Sequence, residues 1–250
     1  MSTPLWDVHV QRRLEHAGQR FELDVRFASS SQRLVMFGPS GAGKSQTLML
    51  MAGLAQPDQG HVRVSGQTLI DRAQRINVPA RRRGLAYVFQ DYALFPHLTV
   101  AQNLAFSQHR GWLNPARRRM SPEVEHWLRS FELLPVAQQY PHQLSGGQRQ
   151  RTALARALVT EPRALLLDEP FAALDPALRT RLRDELAELQ TRLNVPLLLI
   201  THDEQDVKRF SGELIEIQHG RVQRGPVAGQ SPEAHSRHQR ITEAARSPAD

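Results

Sequence analysis

Apolar and polar residues alternate strictly over Phe21-Glu22-Leu23-Asp24-Val25-Arg26-Phe27, which predicts a strand with one buried face. Trp6-Asp7-Val8-His9-Val10 alternates in the same way and reads as an edge strand. Residues 28–32 form a polar turn before Arg33-Leu34-Val35-Met36-Phe37, a short buried strand, and residues 45–51 follow as a helix. A turn at Pro57-Asp58-Gln59-Gly60, a strand over residues 61–64 and a second turn at Gly66 come next. Leu85-Ala86-Tyr87-Val88-Phe89 is another apolar strand and runs straight into Gln90. Between Asp91 and Leu144 the pattern turns mostly helical. One helix passes through Asn103 and Phe106, and another runs from Ser121-Pro122, a cap residue before a first-turn proline, to about Phe131. A long helix over residues 149–159 leads to the all-apolar strand 164–167, which ends in Asp168-Glu169. A helix over 176–193, a buried strand over 195–200 and a hairpin of 213–218 with 221–223 around Gly220 complete the order. Early antiparallel-looking strands joined to this later core predict a mixed sheet, and no internal repeat is visible.

Between the strand at 33–37 and its helix lies Gly38-Pro39-Ser40-Gly41-Ala42-Gly43-Lys44-Ser45. It fits G-x-x-x-x-G-K-[ST], whose small residues let backbone N–H groups turn inward into a concave anion site. Lys44 would reach the β- and γ-phosphates of a nucleotide, and the Ser45 hydroxyl would hold Mg²⁺. The helix N-terminus directs its partial positive charge at the same place. Asp168-Glu169 after an apolar strand is the natural partner of such a loop: Asp168 is presented to Mg²⁺, and Glu169 orients or deprotonates the water that attacks the γ-phosphate.

Composition narrows the class further. The chain has 250 residues, 40% of them hydrophobic and 23% charged, ordinary for a soluble globular protein. Its longest apolar runs are strand-sized, well short of the ~20 residues that span a bilayer. The first residues lack the pattern of a signal peptide, and the absence of cysteine excludes disulfides and thiolate metal sites. A net charge of +7 and a pI near 10.8 raise nucleic acid as a partner. The arginines are scattered, however, and the clusters Arg81-Arg82-Arg83 and Arg117-Arg118-Arg119 have no interleaved aromatics, so both read as solvated surface.

Leu144-Ser145-Gly146-Gly147-Gln148 resembles the signature of ABC ATPases, and the other motifs stand in that family's order. Gln90 matches its glutamine switch, Ala173-Leu174-Asp175 its interface-crossing loop, and His202 its switch histidine. The resemblance covers about residues 6–225. It implies an α/β P-loop NTPase fold with a RecA-like core, an antiparallel β subdomain and a helical insertion. The nucleotide-binding domain would span 1–225, with the helical part at about 91–150, followed by a polar tail over 226–250.

The resemblance also implies a head-to-tail homodimer around ATP. In it Ser145, Gly146, Gly147, Gln148 and Asp175 contact the nucleotide held by the partner's loop 38–46. Ser45, Gln90 and Asp168 would serve Mg²⁺, while Glu169, His202 and Gln90 would act in hydrolysis. Gln46 stands where threonine is frequent, and Ala172 where serine is frequent. The aromatic that stacks on adenine is either Phe21 or His16.

The string from Gln90 to Val100 is similar to that of the molybdate/tungstate and related oxyanion importers. This implies integral membrane permease subunits as partners, a periplasmic or extracellular substrate-binding protein as an indirect one, and a peripheral place on the cytoplasmic face of the inner membrane. Tyr92, Leu94, Phe95 and Leu98 are expected to line a groove for a permease helix. Nucleic acid is not expected as a partner. The alternatives are an importer for sulfate, thiosulfate, iron or polyamine, and a non-transport ABC ATPase acting on nucleic acid.

Overall fold

The structure is a computed structural model that describes residues 3–16, 19–108, 114–115, 120–172, 174, 176–210 and 212–226. In chain order its elements are β1 (Trp6–His16), β2 (Gln19–Ser29), β3 (Arg33–Phe37), α1 (Lys44–Ala52), β4 (Gln59–Val64), β5 (Gln67–Asp71), β6 (Ile76–Asn77) and β7 (Leu85–Val88). Then come α2 (Val100–Ala105), α3 (Pro122–Ser130), α4 (Gly146–Leu158), β8 (Ala164–Asp168), α5 (Pro176–Leu193), β9 (Leu197–Thr201), α6 (Glu204–Phe210), β10 (Glu213–Gln218) and β11 (Arg221–Arg224).

The strands form one sheet in the order β6-β5-β4-β1-β2-β11-β10-β3-β9-β8-β7. From β10 to β7 neighbours run parallel, and from β6 to β2 they run antiparallel. The two parts meet where β11 pairs with β2 through Arg221 and Asp24, reinforced by Asp24 N–H donating to the Gly220 carbonyl at 2.7 Å. Gly220 has no room for a side chain, because a Cβ would lie 2.0 Å from the Glu22 carbonyl oxygen. Its own N–H donates to the Ala42 carbonyl at 3.0 Å, so this turn is stitched to the loop between β3 and α1.

β1 is not an edge. It pairs with β2 on one side and β4 on the other, and the edges are β6 and β7. Alternation reports that one face is covered but not how many neighbours a strand has, so the one-faced pattern of Trp6–Val10 suits this inner position equally. β8 and β9, by contrast, are buried at every position, as parallel strands covered on both faces must be. Leu34, Met36, Leu166, Leu198 and Ile200 pack with α1 and the antiparallel strands, while Val35, Val88, Leu165, Leu167 and Leu199 face the core built by α2, α3, α4 and α5.

Local chemistry sets the helix ends. Thr99 caps α2 and Ser145 caps α4, each in a reciprocal capping box with Gln102 and Gln148 respectively, and Ser121 caps α3. α1 ends at Gly53, whose φ of 81° is the left-handed conformation that glycine adopts cheaply at such stops. Arg83 lies against this end. It is 2% exposed, not solvated as its place in an arginine cluster implied, whereas Arg81 and Arg82 are exposed. Arg117-Arg118-Arg119, Asp175 with Ala173 before it, the side chain of His16 and the tail from residue 227 lie outside the described residues.

Candidate functional site

The phosphate loop leaves the buried end of β3 and presses against β10. A Cβ on Gly38 would lie 2.1 Å from the Ile217 carbonyl oxygen, so only glycine lets the loop pass. Gly43 enters α1 at φ 99°, with Leu23 and Phe21 of β2 against it: a Cβ there would meet Leu23 Cδ1 at 2.5 Å and Phe21 Cζ at 3.2 Å. The half-buried Phe21 therefore borders the loop and also packs on the core. Pro39, Ser40 and Gly41 are exposed, and Ala42 is buried. Gln46 accepts a long hydrogen bond from Arg12 Nη1, at 3.5 Å.

Lys44 is buried. Its Nζ donates to the Gly38 and Pro39 carbonyls at 2.8 and 2.9 Å and lies 3.7 Å from Glu169 Oε1. Burial draws its pKa down, and the nearby Glu169 and Asp168 carboxylates offset only part of that shift. Ser45 Oγ donates to Asp168 Oδ1 at 2.8 Å, joining the first turn of α1 to the end of β8. Asp168 Oδ2 accepts from Tyr87 Oη at 2.7 Å. Burial, and then the adjoining carboxylate, push the Tyr87 pKa well up, so it stays a donor.

Glu169 takes φ 45°, a left-handed conformation uncommon for a non-glycine residue and costing on the order of 1 kcal/mol. Its N–H donates to the Ile200 carbonyl at 3.1 Å. Its carboxylate stands between Lys44 and His202, whose Nδ1 is 3.1 Å from Glu169 Oε2. That contact uses Nδ1 of the half-exposed His202 and leaves Nε2 directed elsewhere. α5 steadies the loop around His202. Arg183 bonds Asp203 at 2.9 Å and Asp206 at 2.6 Å, while Arg179 reaches Asp203 and the carbonyls of Ala172 and Leu174.

Gln90 is exposed beyond β7 and engaged in no hydrogen bond among the described residues. The segment after it is held firmly. Tyr92 and Ala93 both have positive φ, 65° and 41°, and Arg156 of α4 donates to their carbonyls at 2.8 and 2.7 Å. Tyr92 Oη donates to the Pro170 carbonyl, directly after Glu169. Tyr92 and Leu98 are buried in the core and line no groove, which corrects the expectation for that pair; Leu94 and Phe95 are partly exposed. Phe95 packs on Phe106 with ring centroids 4.4 Å apart, and Phe106 is exposed.

Ser145, Gly146, Gly147 and Gln148 open α4. A Cβ on Gly146 would meet Leu174 at 3.2 Å and one on Gly147 would meet Leu178 at 3.2 Å, so both glycines let α4 lie close to the start of α5. No hydrogen bond or ion pair joins these four residues to the phosphate loop among the described residues. The site thus gathers Lys44, Ser45, Asp168, Glu169 and His202, and leaves Gln90 and residues 145–148 apart from them. A cavity of about 330 Å³ between α4 and α5, beside the buried Gln150 amide that has no partner among the described residues, includes no residue of the phosphate loop.

No cluster of three or more acidic or histidine side chains able to hold a metal by itself is present among the described residues. Ser45 and Asp168 offer one hydroxyl and one carboxylate on adjacent oxygens. This all-oxygen pair suits Mg²⁺, which takes few protein ligands and completes its shell with water and phosphate.

Tyr87, Arg12, Arg179 and Arg183 were not foreseen in the sequence. The period of β7 sets Tyr87 opposite Ala86 and Val88, but only the β7–β8 register brings its hydroxyl to Asp168.

Residues 23–172 match the protein family described as ABC transporter. The chain is 40% identical over 223 residues to the molybdenum import ATP-binding protein ModC of Albidiferax ferrireducens, covering 88% of this chain and 58% of that protein. It is 40% identical over 201 residues to the sulfate/thiosulfate import ATP-binding protein CysA of Synechocystis sp., covering 80% and 54%. To the spermidine/putrescine import ATP-binding protein PotA of Escherichia coli K12 it is 42% identical over 202 residues, covering 81% and 51%. The chain thus spans about half the length of the curated relatives it matches. Among solved structures, the dimeric post-hydrolysis state of the ATP-binding cassette MJ0796 bound to ADP and Pi is 28% identical, with a TM-score of 0.69 over 90% of this chain and 99% of that one.

Proposed function

The chain belongs to the ABC transporter family, and from that premise we propose that it is the ATP-hydrolysing subunit of an importer. The observation that carries this reading is the continuous chain of contacts Ser45–Asp168 and Lys44–Glu169–His202 around the mouth of the phosphate loop. In this reading residues 38–46 cradle the phosphates of ATP, and Lys44 turns from the loop carbonyls to neutralise phosphate charge. Ser45, Asp168 and Gln90 would hold Mg²⁺, which would supply positive charge to the phosphate oxygens. Glu169 orients and deprotonates the attacking water. His202, aligned through Nδ1 by Glu169, presents Nε2 to the γ-phosphate.

Ser145, Gly146, Gly147, Gln148 and Asp175 then complete the partner's site in a head-to-tail dimer. Their separation from the phosphate loop of their own chain supports this arrangement, as does the dimeric state named for the MJ0796 cassette. The domain reading, 1–225 with a helical part at about 91–150, goes with it. No helix among the described residues is long and apolar enough to cross a membrane; in this reading separate permease subunits carry the pathway. The chain would sit peripherally on the cytoplasmic face of the membrane, with a substrate-binding protein acting through the permease. Phe95, Phe106 and Leu94 offer the permease an apolar contact, downstream of Gln90 and tied to Pro170 through Tyr92. Molybdate or a similar oxyanion is the proposed cargo. Relatives named for molybdenum, sulfate/thiosulfate and polyamine import stand at nearly equal identity, so the permease decides.

Glu169→Gln tests the mechanism. ATP binding is expected to persist while turnover falls by ~10²–10⁴-fold and ATP-bound dimer accumulates in gel filtration. Turnover at the parent rate would overturn the assignment. Phe95→Asp should weaken permease assembly more than charge reversal at Arg81 and Arg82 does, as read by co-purification.

A further inference from the structure

The terminal torsion of an aspartate is broad, so a single donor leaves the carboxylate free to pivot. Asp168 is held at two points. Ser45 Oγ donates to Oδ1 at 2.8 Å, and Tyr87 Oη donates to Oδ2 at 2.7 Å. The tyrosine is itself constrained. It stands on β7, with its backbone in register with Leu166 of β8, two residues before Asp168. Its ring packs on the core beneath α1 and lies 4.5 Å from the Phe89 ring. The hydroxyl therefore reaches Asp168 from β7, and its position is set by the register of β7 on β8.

We infer that Tyr87 is the positioning residue of the cation site, clamping Oδ2 of Asp168 so that Oδ1 stays turned toward Ser45. The inference rests on the reading of Ser45 and Asp168 as the Mg²⁺ donors. Tyr87 acts through Asp168 and touches neither nucleotide nor cation. Partners of this kind, which orient a ligating carboxylate, typically contribute 10–100-fold to metal affinity. Removing the hydroxyl leaves the carboxylate pivoting on Ser45 alone, so the cation is held less tightly while the phosphate loop is untouched.

Tyr87→Phe keeps the ring and deletes the donor; Tyr87→Met is a second variant of similar bulk in case the first is poorly folded. Mn²⁺ binding to the ADP-loaded protein, followed by electron paramagnetic resonance, is expected to weaken about 10-fold in either variant. ADP affinity in EDTA should stay at the parent value. In turnover assays the Mg²⁺ concentration for half-maximal rate should rise by a similar factor, with the rate recovering as Mg²⁺ is raised. A role in packing alone would lower the rate or the melting temperature without moving Mn²⁺ affinity. Asp168→Asn separates the two layers of the argument. If Asp168→Asn loses Mn²⁺ and the Tyr87 variants do not, the inference about Tyr87 is wrong and the donor assignment stands. If none of the three loses Mn²⁺, the donor assignment fails and takes the inference with it.

Discussion

Replacing Arg83 by methionine isolates a buried cation that holds the phosphate-loop helix to the rest of the sheet. Among the described residues Arg83 has no carboxylate partner. Its Nη1 donates to the Leu50 and Met51 carbonyls at 2.9 and 2.8 Å, its Nε to the Val78 carbonyl at 2.8 Å, and its Nη2 to Asn77 Oδ1 at 3.1 Å. Leu50 and Met51 are at the C-terminal end of α1, where carbonyls lack helical donors and the helix dipole favours a cation. Burial lowers the arginine pKa from 12.5 to about 10, which at ~1.4 kcal/mol per unit is a cost of about 3 kcal/mol for keeping the charge inside. Leu50 O keeps a second donor in Gly53 N–H, so the other three bonds dominate. At about 2 kcal/mol each for a charged donor they contribute about 6 kcal/mol, and the net loss on removal is about 3 kcal/mol.

A chain of this size loses roughly 2–4 °C of melting temperature per kcal/mol, so Arg83→Met is expected to melt about 6–12 °C lower. Urea unfolding followed by circular dichroism should give the matching free energy. Arg83→Lys keeps the charge but cannot span four acceptors with one ammonium, and should recover less than half of the loss. A methionine variant within 1 kcal/mol of the parent would show that the carbonyls find other donors and that the clamp is not needed.

Gly38→Ala forces a methyl against the Ile217 carbonyl, which the β3–β10 pairing holds in place. ATP affinity measured by fluorescence should fall at least about 10-fold, with a stability loss of roughly 1–3 kcal/mol; binding at the parent level would contradict the close approach. Burial alone would raise the Asp7 carboxyl, but hydrogen bonds from His61 and Arg63 outweigh it and hold the pKa below its ordinary 3.8. A carboxyl depressed in the folded state stabilises above its unfolded value and loses that contribution as pH falls through the folded one. The stability gap between parent and Asp7→Asn, from urea titrations between pH 7 and pH 2, should therefore narrow below about pH 4; a gap that does not change with pH would rule out this account.

The sequence makes the parallel half of the sheet legible because burial on both faces leaves unbroken apolar runs, as in Leu165-Leu166-Leu167 and Leu197-Leu198-Leu199. The Ser121-Pro122 cap located α3 closely and α5 spans the expected residues, whereas α4 begins at Gly146, three residues earlier than its polar start implied. β5, β6 and α6 were not anticipated: each is short, and Gln67-Thr68 and Glu204-Gln205 look like loop until their neighbours are known. The phosphate loop, Asp168, Glu169 and His202 were visible because their chemistry is local to a motif. Tyr87 was not, since what distinguishes it is a hydrogen bond spanning 81 residues that only strand register creates. Arg83 illustrates the same limit, being one of three identical residues of which one alone meets the end of α1. Tyr92 and Leu98 failed as groove residues for a related reason: their apolar character serves the interior of the insertion, while Leu94, Phe95 and Phe106 reach the surface beside them.

The β11–β2 junction has a mechanical consequence. Along the backbone the antiparallel half meets the parallel half at the β11–β2 pair, where Asp24 bonds to Gly220 and Ala28 bonds to Pro226 at 3.1 Å, and Ser29 Oγ adds a side-chain bond to Glu213 of β10. Because Gly220 is also fastened to Ala42, a displacement of the outer strands at this junction reaches the loop between β3 and α1 through a single hydrogen bond.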